Sequence, residues 1–319
     1  MALGAEPKSD VGFTYLNDMR PNMGIFRLSD VRPRPEKADR GGGCIINFPK
    51  ERYPDWPHTA AGLQSFDFNH TSKIKDGQAV VHFDMWTSLR HASDGNGWTF
   101  RPVLRAWNSS EQTQLIYDAT IMWMEKKRDA KSCRFNDVPI QVKAGKGQEQ
   151  VTFSMPWEEG TEFEVYAWAS DFNFRGGDAA REGFAVSAYA SDITVKGFTA
   201  NVKGSSNLDK CEYVWIAVRK DKQGSASGSF GIADVKNRKG FASQNSGRID
   251  FPRGKFRKAP NVIAALSSFD LAGGRDLRVG VEVKDVSKTG FTWHLNTWGD
   301  NSDDALRSAT ATYFALGYD

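Results

Sequence analysis

Arg278 and Trp298 carry the chemistry that this 319-residue sequence offers most plainly. Val279, Val281 and Val283 alternate with Arg278, Gly280, Glu282 and Lys284, the period of two of a half-buried strand. Phe291, Trp293 and Leu295 then alternate with Thr292, His294 and Asn296. The alternation turns Arg278 away from the valines and sends His294, Asn296 and Trp298 to one wet face. Trp298 breaks the polar pattern of that face. An indole offers an apolar ring face, and a guanidinium offers a fork of donors suited to paired oxygens. That combination serves recognition rather than bond-making. Each residue also has a plain structural reading. Arg278 can pair with Glu282 or Asp276, Trp298 can pack at a junction, His294 can be merely solvated, and Asp270 can simply form a turn.

The residues of catalysis are not arranged for it. His58, His70, His82, His91 and His294 show no metal-ligand spacing, and no Gly-x-Ser-x-Gly elbow occurs. Gly41-Gly42-Gly43 lacks the Lys and Ser/Thr of a phosphate loop. Cys44, Cys133 and Cys211 form no CxxC or CxxH pair, so free thiols are expected rather than a metal cluster or a disulfide framework. No enzyme and no cofactor are expected. A net charge of +3, with Lys and Arg scattered among acids, argues against a nucleic-acid groove. No apolar run approaches a membrane span, and residues 1–18 do not read as a secretory signal. The expected location is cytoplasmic, or outside the cell by release without a signal peptide.

The elements that position Arg278 and Trp298 recur. Asp192-Ile193-Thr194-Val195-Lys196-Gly197-Phe198-Thr199 returns as Asp285-Val286-Ser287-Lys288-Thr289-Gly290-Phe291-Thr292. A Phe precedes an Asp by similar spacings in Phe48…Asp67, Phe153…Asp171 and Phe251…Asp270. Apolar runs close each stretch at Ile121-Met122-Trp123-Met124, Val214-Trp215-Ile216-Ala217 and Tyr313-Phe314-Ala315-Leu316. Recurrence at this period means tandem domains. The expected organisation is a tail or arm over 1–23 and repeats over 24–127, 130–220 and 228–319. Each repeat holds a hairpin, with Gly197 and Gly290 expected at positive φ in their turns. In the first repeat Val81, Phe83 and Met85 lead to a longer turn, then Phe100, Pro102 and Leu104. The polar linker 220–227 reads as flexible. No run shows a helical period, so the fold class is all-β.

The string Leu277-Arg278-Val279, Asp285 to Phe291, then Thr297-Trp298, resembles an H-type lectin domain. Gly247 to Pro252 and Pro260-Asn261-Val262 fit the opening strands of that family. The resemblance covers the third repeat fully and the other two in part. It implies a six-stranded antiparallel sandwich and trimers with sugar sites at subunit junctions. It also implies a galactose or N-acetylgalactosamine ligand, no catalysis and no metal. Three repeats in one chain then suggest three sandwiches packed as an intrachain pseudo-trimer, with a higher oligomer open. The sugar-binding set this implies is Arg278, Trp298, His294, Asp300 and Asp270. Gly299 follows Trp298 where the family has His, and Asp300 or His294 could substitute.

The other repeats have lost parts of this set. Ala185 and Ser205 stand at the Arg and Trp positions of the second repeat. In the first, the Arg position falls near Gln78, while Trp107 survives beside Arg105 and Arg101. The family also implies an acid lent by a neighbour, for which Glu36 and Asp39 are placed in the first repeat. The competing reading is a structural or protein-interaction platform with degenerate sugar sites.

Overall fold

The computed structural model describes residues 22–27, 41–43, 46–49, 58–68, 81–91, 97–107, 116–126, 133–143, 145–175, 183–235, 242–299 and 305–317. All regular structure among them is strand, apart from one 3-10 turn at Ile232–Asp234. No helix among the described residues is long and apolar enough to cross a membrane. The strands fall into three units in chain order. Unit one holds β1 (Asn22–Arg27), β2 (Gly41–Gly43), β3 (Ile46–Pro49), β4 (His58–Phe68), β5 (Val81–His91), β6 (Gly97–Trp107) and β7 (Ile116–Lys126). Unit two holds β8 (Cys133–Gln141), β9 (Lys146–Thr152), β10 (Phe163–Phe174), β11 (Phe184–Thr194), β12 (Gly197–Gly204) and β13 (Leu208–Arg219). Unit three holds β14 (Ser225–Gly231), β15 (Gln244–Asp250), β16 (Asn261–Leu271), β17 (Leu277–Ser287), β18 (Gly290–Asn296) and β19 (Leu306–Leu316).

The alternation read from the sequence is the alternation of burial. Leu277, Val279 and Val281 of β17 are buried, while Arg278, Gly280 and Glu282 face outward to differing degrees. Phe291, Trp293 and Leu295 of β18 are buried, with Thr292, His294 and Asn296 between them.

The sheets do not respect the borders of the units. Each combines three strands of one unit with three of another, or four where β2 and β3 share β6. The orders are β1-β7-β4-β17-β18-β15, β2-β6-β5-β10-β13-β8 and β14-β19-β16-β11-β12-β9. The seams are β4 with β17, β5 with β10 and β11 with β16. Unit one therefore joins three, two joins one and three joins two, a closed ring. The register is the same at each seam: Phe68 opposite Leu277, Phe174 opposite Val81, Leu271 opposite Phe184. The seams have a physical reason. A half-sheet ending at β4 or β17 would leave a row of backbone donors and acceptors unpaired, and pairing across units satisfies them.

The all-β, pseudo-trimeric expectation holds, and the ring explains the second hydrophobic cluster. Met23, Ala60, Met122, Met124, Tyr166, Trp168, Val214, Ile216, Ile263, Ala265, Phe314 and Leu316 pack together, with members from all three units. They line the pseudo-threefold axis. Gly62, Trp168 and Ala265 occupy one level there, each opposite an equivalent partner, Met122, Val214 and Thr312. A Cβ at Gly62 would stand 2.6 Å from the Ala265 Cβ and 2.8 Å from Trp168 Nε1. The one indole fills the level and donates to the Ala61 carbonyl at 2.6 Å.

Three local expectations are corrected. Gly197 has no positive φ, whereas Gly290 has φ +155°. The left-handed residues of the two hairpins are Asp192 and Asp285, at φ 50° and 49°, where the register slips. Glycine is required at both positions for a further reason. A Cβ at Gly197 would meet the Val151 carbonyl oxygen at 2.0 Å, and one at Gly290 would meet that of Ile249 at 2.1 Å. Next, the linker 220–227 is pinned. Ser225 already begins β14, and Lys255 Nζ donates to the carbonyls of Lys220 and Lys222. Finally, the seam register pairs Asn173, not Asp171, with the position that Asp67 and Asp270 occupy.

Candidate recognition site at the seam of units one and three

Arg278 and Asp67 are Cα partners across β17 and β4, so the seam itself brings them together. Arg278 Nε donates to Asp67 Oδ1 at 2.8 Å, and Nη2 reaches Asp276 Oδ2 at 2.8 Å. Both structural pairings foreseen for Arg278 are thereby decided. Asp276 is a partner, while Glu282 pairs with Lys284 instead. The Arg278 and Asp67 side chains are 18% and 16% exposed, a well-shielded ion pair with one edge to solvent.

Trp298 closes the group. It lies two residues past the pair Gly280–Asn296, beside Arg278, and its Nε1 donates to Asp67 Oδ2 at 3.2 Å. Its ring sits over Gly280, where an added Cβ would stand 3.4 Å from Cζ3. Trp298 is 40% exposed, a large aromatic left open on a protein that buries most of the others described. Gly299 is shaped to this arrangement. Its φ is +97°, and a Cβ there would stand 2.0 Å from Arg278 Nη1. Where a side chain could stand after Trp298, the guanidinium stands instead.

The other expected residues are distributed differently. His294 is opposite Glu282 and Ser246, four residues along the strand from Arg278, about 13 Å away. It shares the face but not the site. Asp270 is at the seam of units two and three, opposite Ala185 and 3.7 Å from Arg307 Nη1. That seam has neither arginine nor tryptophan at the equivalent positions. Ser205 Oγ there accepts the Ala185 N–H and contacts Asn207. Asp300, Glu36, Asp39 and Gln78 lie outside the described residues. The strand register puts His82, not Gln78, at the Arg position of unit one, opposite Trp107, with Arg105 opposite Asp84.

Sequence reasoning missed Asp67 as a site residue. Its signal was available: Phe48…Asp67 matches Phe251…Asp270, but the spacing was read as a mark of repetition. An acid was sought near residues 36–39, which lie outside the described residues; among the described residues the carboxylate that reaches both Arg278 and Trp298 is Asp67, from the strand across the seam.

The arrangement presents a carboxylate, a guanidinium and an open indole face side by side. Among the described residues no three of His, Cys, Asp and Glu gather as a metal ion would need. Residues 246–316, which span most of β15 and all of β16 to β19, match the family model of the H-type lectin domain. No curated protein matches the chain, and no solved structure does.

Proposed function

We propose that this chain, whose unit three carries an H-type lectin domain, binds a galactose or N-acetylgalactosamine type of glycan at the seam of units one and three. The observation that carries the reading is a carboxylate of one unit, Asp67, held by Arg278 and Trp298 of another, with an indole left open beside it. The apolar C–H face of the sugar ring stacks on Trp298. Each Asp67 oxygen accepts one bond from the protein, which leaves a second lone pair on each for sugar hydroxyls. Arg278 keeps the carboxylate aimed. The affinity expected of one such site is on the order of millimolar, about −4 kcal/mol.

The second reading makes the same three residues a staple between units. The two acids already gathered on Arg278 favour it, as does the loss of the equivalent groups at Ala185 and Ser205. Titration calorimetry with N-acetylgalactosamine separates the two. Trp298→Ala and Asp67→Asn should each weaken binding about tenfold or more, and Ser205→Ala should leave it unchanged. Wild-type affinity in Trp298→Ala, with lowered thermal stability, gives the site to the staple.

A further inference from the structure

We infer that β14 of unit three is a docking edge for a basic, extended segment of a partner protein, which joins its sheet as one more strand. The inference does not depend on the sugar reading of the first seam. β14 is the last strand of its sheet and pairs with β19 alone among the described residues. Every second residue therefore turns its backbone N–H and C=O away from β19, a row open to a further strand. Native sheets commonly guard such edges with charge or proline. Of the edge strands with six or more residues, β1 carries Arg27, β15 Arg248 and Asp250, β9 Lys146 and Glu149, and β8 Pro139. β14, Ser225-Ala226-Ser227-Gly228-Ser229-Phe230-Gly231, alone carries neither charge nor proline.

Space and charge name the occupant. Gly228 and Ser229 of β14 line an open groove of about 910 Å³ together with Glu162, Glu164, Ile193 and Lys220 of unit two. At the equivalent junction of units one and two, β8 packs against β4; here the groove stands beside the start of β10. The cations at the groove are engaged from within. Lys220 holds Glu164 at 2.6 Å, and Arg219 next to it holds Asp221 at 2.5 Å. Tyr166 also donates to Glu164. Glu158, Glu159 and Glu162 are different: all three are exposed, and none has an ion pair among the described residues. They lie on the turn that leads into β10, where the Thr161 N–H donates to the Glu158 carbonyl. Three carboxylates without cations favour Lys or Arg on the incoming strand, and the exposed Ile193 favours an apolar residue between them. Main-chain bonds to β14 supply the affinity, and alternate side chains supply the specificity.

The probe is a fluorescein-labelled peptide of alternating lysine and valine, seven residues long like β14, with a glutamate–valine counterpart. Each is titrated with the full chain by fluorescence anisotropy. The lysine peptide should bind, and the glutamate peptide should bind about tenfold more weakly or not at all. An added strand turns only every second amide to its neighbour. N-methylation of alternate amides in the lysine peptide should thus lower affinity about tenfold or more in one phase and leave it unchanged in the other. Glu162→Lys and Ser229→Lys, both at exposed positions, should each weaken binding about threefold, and the loss should shrink as salt rises. Equal loss in the two N-methylated phases overturns strand addition. Equal binding of the acidic peptide, or a lysine peptide that does not bind, overturns the basic partner. A chain that is already a dimer by light scattering, with its β14 amides protected from hydrogen exchange before any peptide is added, gives the edge to a second copy and also overturns it.

Discussion

Asp67 shows how a single residue gains meaning from a strand two hundred residues away. Alone it is an acid at the end of β4; across the seam it accepts from Arg278 and Trp298. The residues that sequence read well, Arg278 and Trp298, were legible because alternation within one hairpin fixes which face each takes. Asp67 was not, because nothing local specifies which strand an edge will meet. The glycines teach the same lesson. Gly197 and Gly290 were rightly singled out, and Gly290 does take a positive φ, but the carbonyl oxygen that leaves no room for a Cβ at either was not foreseen. The distinction is measurable. Gly290→Ala should lower unfolding free energy by about 1–3 kcal/mol through crowding against Ile249 added to the strain of its positive φ. Gly254→Ala, at φ +77° with nothing within 4 Å, should cost only the left-handed strain of about 1–2 kcal/mol. Urea titration of both variants compares them; equal costs would leave the crowding without effect.

Strands and hairpins were legible because a period of two survives in every element with one wet face, β11, β12, β17 and β18 above all. The hairpin bulges were less so. Asp192 and Asp285 open the repeated phrase and take the left-handed conformation, which the sequence reading had assigned to glycine. Aspartate tolerates that region better than most residues, and β-branched residues tolerate it worst. Asp285→Val should therefore destabilise the protein by about 1–2 kcal/mol, and Asp285→Gly by less than half of that. Thermal melts of the two variants check it, and an equal loss in both would place the cost in the lost side chain rather than in the backbone. The seams were the illegible elements. Pairing across units is made by backbone groups, which every sequence carries, so no residue pattern announces it.

At the scale of the molecule, the ring makes each unit incomplete by itself. Unit three exposes β16 on one side and β17 on the other once units two and one are removed. Those two strands are complementary in register: Asp270 on β16 holds the place of Asp67, and Arg278 on β17 faces that place. Residues 221–319 expressed alone should therefore assemble as a trimer, with Asp270 and Arg278 of adjacent copies meeting. Light scattering after size exclusion reads the mass directly. A stable monomer would show that a unit can leave its half-sheets unpaired, and the ring would be a convenience rather than a requirement.

The single indole at the axis has a further consequence, one of symmetry and inheritance. In an assembly of identical subunits, every axial residue appears three times, and a substitution is accepted only if three copies of it fit. Here the same level holds a hydrogen, an indole and a methyl group, from Gly62, Trp168 and Ala265. Three indoles would not fit where one fills the space, and three glycines would leave it hollow. Joining the units in one chain allows each position at the axis to vary alone, and the seams with it. With Trp168 packed against Gly62, the axis holds one indole rather than three equal residues. The asymmetry of the axis thus holds the three units to one order around the single indole.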